Sequence, residues 1–283
     1  MKYLIVGATG NIGSRVTQRL IARGERPSVF VRNAKKAKAL FGAQVDIHVG
    51  DLDKAPSSLA TALDGANGVF LVSDGPDLDT RDRTVAFAAK SAGVGHLVKL
   101  STLDVHTGVG TGPWHARGEA AVRESGVAFT FIQAAGFMLN ALGWSDSIRE
   151  EGVLRTSTGN GRIAFIHPDD IADVATAVLT TRDYDSQSLV ITGPEALSYG
   201  EMAATIGKAI DKPIQFEEIS DRQACAGVVA WAGKGPYADA LVDIWRAVRE
   251  GRLATVSDGV TQVIGRKPIS FGRWAEENAG AFR

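Results

Sequence analysis

Three glycines spaced three apart, in the run Gly7-Ala8-Thr9-Gly10-Asn11-Ile12-Gly13, are the first residues of this chain whose spacing could do chemistry. Where such a turn opens a helix, backbone N–H groups stay uncovered, and a phosphate is their usual occupant. The pattern is not GxGxxG, because Thr9 and Ile12 stand where its second and third glycines would be. Context carries the reading: the turn follows the apolar run Tyr3–Val6 and precedes a helix-like segment, Ile12 to Arg23, with Asn11 as the expected cap. A dinucleotide is therefore expected against Gly7, Thr9, Gly10, Asn11, Ile12 and Gly13; the competing reading is a plain tight turn.

The next chemistry-bearing residues follow later strand-like runs. After Ser28 to Arg32 come Asn33, Lys35 and Lys36, and no Asp or Glu stands there to bind a ribose 2′-hydroxyl. The Arg32 guanidinium can instead grip a 2′-phosphate with two hydrogen bonds, which favours NADP over NAD. The alternative, a solvated helix start, puts basic residues where the helix dipole disfavours them. Asp51, in Gly50-Asp51-Leu52, can face the adenine edge or simply serve a turn; both readings stand. Ser73 and Ser101-Thr102 place hydroxyls where the nicotinamide half belongs.

The elements that must position these residues alternate in type. Ser28–Arg32, Val45–Val49, Gly68–Val72, Leu97–Leu100 and Ala128–Ile132 read as short buried strands. Helical patterns lie near 34–41, 56–63, 79–91 and 114–125. Repeated βα units of this kind predict an α/β fold with a parallel sheet covered on both faces, and ligands beyond the carboxyl ends of its strands. Charge is balanced, at 31 basic against 32 acidic residues, so neither nucleic acid nor an anionic membrane is an expected partner. No apolar run is long enough to span a bilayer, and the N-terminal one ends at Gly7, unlike a signal peptide, so a cytoplasmic protein is expected. The single cysteine, Cys225, excludes an internal disulfide and a cysteine zinc cluster, and no metal is expected.

The runs GATGNIG, VFVRNAKKA, VGDLD, LVKLSTLDV and HPDDIADVATAVL together resemble the NmrA-like, atypical short-chain dehydrogenase/reductase family, and the C-terminal third is similar too. The resemblance implies a Rossmann-type, doubly wound NADP(H)-binding domain and a smaller α/β C-terminal lobe, with a cleft between them. The expected extents are 1–134 plus 163–192 for the first and 135–162 plus 193–283 for the second. Phe137, Met138 and Asn140 are expected to line the cleft, while Trp144, Trp231 and Trp245 are expected to fill core. Family members include NADPH-dependent reductases of quinones and related acceptors, and redox sensors that act through a protein partner. The sequence leaves a homodimer open.

Standard dehydrogenases of this class use a Tyr-x-x-x-Lys pair. The four tyrosines here, at 3, 184, 199 and 237, are followed four residues on by Gly7, Ser188, Ala203 and Leu241, so the pair does not exist. In the expected place stands His115-x-x-x-Glu119, similar to the quinone-reductase-like branch. On one helix face, His115 could donate a proton or hydrogen bond to an acceptor carbonyl and Glu119 could orient it; the other reading is a surface pair without chemistry. Where the family commonly has Arg-Pro after the sixth strand, this chain has Gln133-Ala134. The expected activity is hydride transfer from NADPH to a quinone or similar small carbonyl or conjugated acceptor, with a non-catalytic NADP(H) sensor as the alternative.

Overall fold

The structure, a computed structural model, describes residues 1–54 and 57–283, without the side chains of Trp231 and Ala232. The first residue of the helix expected at 56–63 and the core place expected for Trp231 lie outside the described residues. The chain begins β1 (Tyr3–Val6), α1 (Asn11–Ala22), β2 (Ser28–Val31), α2 (Ala34–Phe41), β3 (Asp46–Val49) and α3 (Ser58–Leu63). It continues β4 (Gly68–Leu71), α4 (Leu78–Ser91), β5 (His96–Thr102), α5 (Gly112–Ser125) and β6 (Phe129–Ala134). Next come α6 (Ser145–Glu151), β7 (Val153–Thr156), β8 (Arg162–Ile163), α7 (Pro168–Leu179) and β9 (Gln187–Ile191). The last elements are β10 (Leu197–Ser198), α8 (Tyr199–Ile210), β11 (Gln215–Glu218), α9 (Asp221–Ala232), α10 (Pro236–Arg249), α11 (Gly259–Ile264) and α12 (Phe271–Glu277).

Two compact units emerge from the contacts: residues 1–102, 114–133 and 171–189, and residues 103–113, 134–170 and 190–283. The seven-stranded sheet has the order β3-β2-β1-β4-β5-β6-β9, so the expected Rossmann-type architecture is present. From β3 to β5 neighbouring strands pair in parallel, with Leu4 opposite both Ser28 and Val69. The chain winds outward from β1 in one direction and from β4 in the other, so the residues following these two strands flank the point where strand order reverses. Strands β1, β2 and β4 are buried along their whole length, which is why they read as unbroken apolar runs, whereas the edge strand β3 is partly exposed. Leu4, Val6, Phe30, Leu71, Val85 and Phe131 belong to the core of this unit.

Two local expectations change. Asn11 does not cap α1: Gly10, extended at φ −88° and ψ 177°, takes the cap position with no side-chain hydrogen bond, and Asn11 is already helical. Strand β5 runs from His96 to Thr102, longer than its apolar stretch, because its polar residues find partners inside the unit. Asn33 caps α2 by accepting the Lys36 N–H.

The second unit contains a two-stranded antiparallel pair, β8 with β10, and a parallel pair, β7 with β11. Met138, Phe165, Tyr199, Phe271, Trp274 and Phe282 form part of its core. Trp144 and Trp245 are partly buried against that core, and Trp144 lies 5.2 Å from the Tyr199 ring and 6.5 Å from that of Phe165. His167 lies at the start of α7, where Nδ1 accepts the Asp169 N–H at 3.1 Å and Nε2 meets Glu277 at 3.3 Å. No helix among the described residues is long and apolar enough to cross a membrane.

Candidate functional site

A groove of about 510 Å³ opens in the first unit beyond β1, β2, β3 and β4, lined by residues that follow those strands. Gly7, Thr9 and Gly10 form one wall. Gly7 has φ +83°, a conformation that favours glycine, and its carbonyl accepts the Gly10 N–H at 3.0 Å. Gly13 lets α1 close on this turn: a Cβ there would stand 2.3 Å from the Gly7 carbonyl oxygen. Gly10 faces the groove, whereas Asn11, Ile12 and Gly13 are not among its lining residues; Ile12 and Gly13 support the turn from below.

Arg32 and Lys36 line the same groove, and among the described residues neither forms an ion pair with a carboxylate. The capping of α2 by Asn33 fixes the backbone between them. Asp51 and Leu52 also line it. Asp51 serves its turn as well, accepting the Asp53 N–H at 3.2 Å. Arg81, Asp53 and Asp74 complete the groove and were not anticipated: Arg81 reaches from α4 to Asp53 at 2.8 Å and to the Asp74 carbonyl. The volume lies within the range of small-molecule sites, and the backbone turn with two free cations suits a phosphorylated dinucleotide. If Arg32 holds a 2′-phosphate, Arg32→Ala removes a charge-assisted hydrogen bond worth about 1.5–3 kcal/mol. The expected outcome is a roughly ten- to hundredfold loss of NADPH affinity and little change for NADH, read by calorimetric titration.

Ser73 lines the groove at the end of β4, but Ser101 does not. Ser101 is buried, and its hydroxyl donates to Glu119 Oε1 at 2.7 Å. Glu119 also accepts from Gln133 Nε2 at 2.9 Å and from Arg123 at 3.1 Å, and Arg123 lies over the Phe131 ring at 4.6 Å. With these partners Glu119 makes no hydrogen bond to His115, contrary to the expected orienting pair. Gln133 is one of the donors that hold this buried carboxylate.

His115 Nδ1 is buried without a hydrogen-bond partner. Burial and the Lys99 ammonium push the imidazole down to about 3, so it is neutral at physiological pH. A neutral imidazole has no imidazolium proton to deliver, and donating one ring N–H as a hydrogen bond is what remains of the expected role. Met138 is fully buried in the core of the second unit rather than lining a cleft, because its apolar side chain packs among Phe165, Tyr199 and their neighbours. Phe137 is half-buried beside Ile166, and Asn140 is exposed.

Sequence reading missed a further polar group. Lys99, wholly buried in β5, puts Nζ 2.7 Å from Oδ2 of Asp82, itself wholly buried on α4. The Ser73 hydroxyl donates to Asp82 Oδ1. The signal was a lysine inside the apolar run Leu97-Val98-Lys99-Leu100, where a charge must have a partner.

A parallel sheet whose strand order reverses above a glycine turn, with free cations beside it, defines a dinucleotide-binding α/β protein. The chain belongs to the NAD(P)H-binding family, whose model matches residues 7–182. It is 35% identical to the NAD(P)H azoreductase of Xenophilus azovorans over 289 residues, covering 99% of this chain and 98% of that enzyme. It is also 35% identical to a (4-alkanoyl-5-oxo-2,5-dihydrofuran-3-yl)methyl phosphate reductase of Streptomyces griseus, covering 99% and 98%. Among solved structures, the NADPH-dependent quinone oxidoreductase of Escherichia coli in complex with NADPH superposes with a TM-score of 0.88 at 25% identity, covering 97% and 99%.

Proposed function

We propose that this protein is an NADPH-dependent reductase whose acceptor is a conjugated electrophile such as a quinone, an azo compound or an enone. The observation that carries the choice of acceptor is the absence of a proton-exchanging pair: there is no Tyr-x-x-x-Lys, and His115 is neutral. An alcohol or simple ketone needs such a group, whereas a conjugated acceptor spreads the incoming charge and can take its proton from water. The names of the relatives support this, since azo, alkanoyl-dihydrofuranone and quinone groups are all conjugated.

Gly7, Thr9 and Gly10 would hold the pyrophosphate, Arg32 and Lys36 the 2′-phosphate, and Asp51, Leu52 and Ser73 the rest of the groove. When bound, the dihydronicotinamide supplies the hydride. The protein's part is chiefly to hold two rings in contact. His115 adds a hydrogen bond, and proton transfer by a side chain contributes about 10²–10⁴-fold only where the chemistry demands it. His115→Ala should therefore cost less than about tenfold in kcat with a quinone. The wild-type rate should show no inflection from His115 between about pH 5 and pH 8. A loss beyond about a thousandfold, or a bell-shaped profile abolished by the substitution, would assign His115 the acid role instead. The same group contributes to stability with a definite sign. Its folded form stays neutral down to about pH 3, so its share is intact above the ordinary value of 6.5 and is lost progressively as pH falls below it.

A further inference from the structure

The Ser73 hydroxyl meets the groove on one side and a buried ion pair on the other. A hydroxyl has one hydrogen to give and two lone pairs to receive with. Its hydrogen goes to Asp82 Oδ1, which as a carboxylate can only accept. The Lys99 ammonium, which can only donate, lies 3.4 Å from the Ser73 oxygen and 2.7 Å from the other Asp82 oxygen. Both partners are wholly buried, on α4 and β5, and so cannot exchange these bonds for water. The site is shaped for them: a Cβ at Gly118 of α5 would fall 2.1 Å from Asp82 Oδ2 and 3.2 Å from Lys99 Cε, so only glycine leaves room.

We infer that the Asp82–Lys99 pair is a positioning device that fixes Ser73 as a hydrogen-bond acceptor toward the groove, so that Ser73 reads a donor of the dinucleotide, a sugar hydroxyl or the carboxamide N–H, and not a phosphate oxygen. This rests on the dinucleotide reading of the groove. A serine with a free rotor can turn its hydrogen to a phosphate oxygen as readily as its lone pair to a sugar hydroxyl. Here the hydrogen is already committed. Such a fixed acceptor adds affinity because the ligand meets it already oriented.

The test is a thermodynamic cycle read by calorimetric titration of NADPH, with thermal unfolding measured alongside. The variants are Ser73→Ala, the double change Asp82→Leu/Lys99→Met, their combination, and Ser73→Thr. Replacing a buried pair by apolar residues of similar size is often close to neutral for stability, so the double variant is expected to fold. Losing the acceptor should weaken NADPH binding about three- to tenfold in Ser73→Ala, while Ser73→Thr keeps wild-type affinity. Removing the pair should weaken it severalfold with Ser73 present and not at all in the Ser73→Ala background. A pair that only supports the fold would shift the melting temperature in both backgrounds and leave the affinity losses additive, or leave affinity unchanged, and either result overturns the inference. Unaltered protein that does not bind NADPH overturns the groove reading together with it, whereas binding with additive losses overturns this inference alone.

Discussion

Gly10→Val is expected to abolish NADPH binding, with Kd rising beyond about a hundredfold, while the melting temperature moves by only a few degrees. The separation of the two effects follows from where Gly10 stands. Its backbone is extended, at φ −88° and ψ 177°, a conformation valine adopts without strain. A Cβ there would meet only the Gly7 carbonyl oxygen, at 3.3 Å, and the rest of the side chain would enter the groove. The cost thus falls on the ligand, which loses its close approach to the backbone. Gly13→Ala is the contrasting case: its Cβ would press on the Gly7 carbonyl from inside, so stability and binding should fall together. Calorimetry and thermal unfolding on both variants separate these outcomes. Retained NADPH binding by Gly10→Val would reduce the opening glycines to an ordinary turn.

Asp82→Ala should be the most destabilising single change in the polar interior of the first unit. It strands the Lys99 ammonium in a site from which water is excluded, and breaking a buried pair in this way costs about 3–5 kcal/mol. For a chain of this size that corresponds to a fall of roughly 10 °C in melting temperature. Asp82→Leu/Lys99→Met, which removes both charges, should recover most of it. The comparison matters because a general loss of packing would affect the two variants alike, whereas an unpaired charge affects only the first. Equal melting temperatures for Asp82→Ala and wild type would show that water reaches Lys99.

Much of this fold was legible because its signals are local. Tyr3–Val6, Ser28–Val31 and Gly68–Leu71 are apolar from end to end, and only a strand covered on both faces needs that. Arg32 follows β2 directly and lines the groove there, as the geometry of a parallel sheet leads one to expect, while Lys36 reaches the groove from the first turn of α2. Residues whose surroundings come from distant segments were not legible. Ser101 and Ser73 look alike in sequence, each a hydroxyl ending a strand, yet Glu119 claims the first and the groove contains the second. Lys99 announced a buried charge, but nothing in its neighbourhood named Asp82, 17 residues earlier on a helix whose exposed face carries Arg83 and Phe87. His115 and Glu119 are spaced to meet, but the carboxylate has better partners in Ser101, Gln133 and Arg123, so spacing on a helix permitted a contact that packing did not form. Met138 follows β6 as a cleft residue should, and the core of the second unit takes it.

The central claim is that this protein passes hydride from NADPH to conjugated acceptors without an acid–base pair, and steady-state oxidation of NADPH tests it most directly. Purified protein would be assayed against quinones, azo dyes and enones, with secondary alcohols plus NADP⁺ as the reverse assay. Turnover is expected with at least one conjugated class, at a rate that survives His115→Ala within about tenfold, and none is expected with alcohols. Stoichiometric binding of NADPH with no acceptor reduced would contradict the claim and leave a protein that senses the dinucleotide rather than using it.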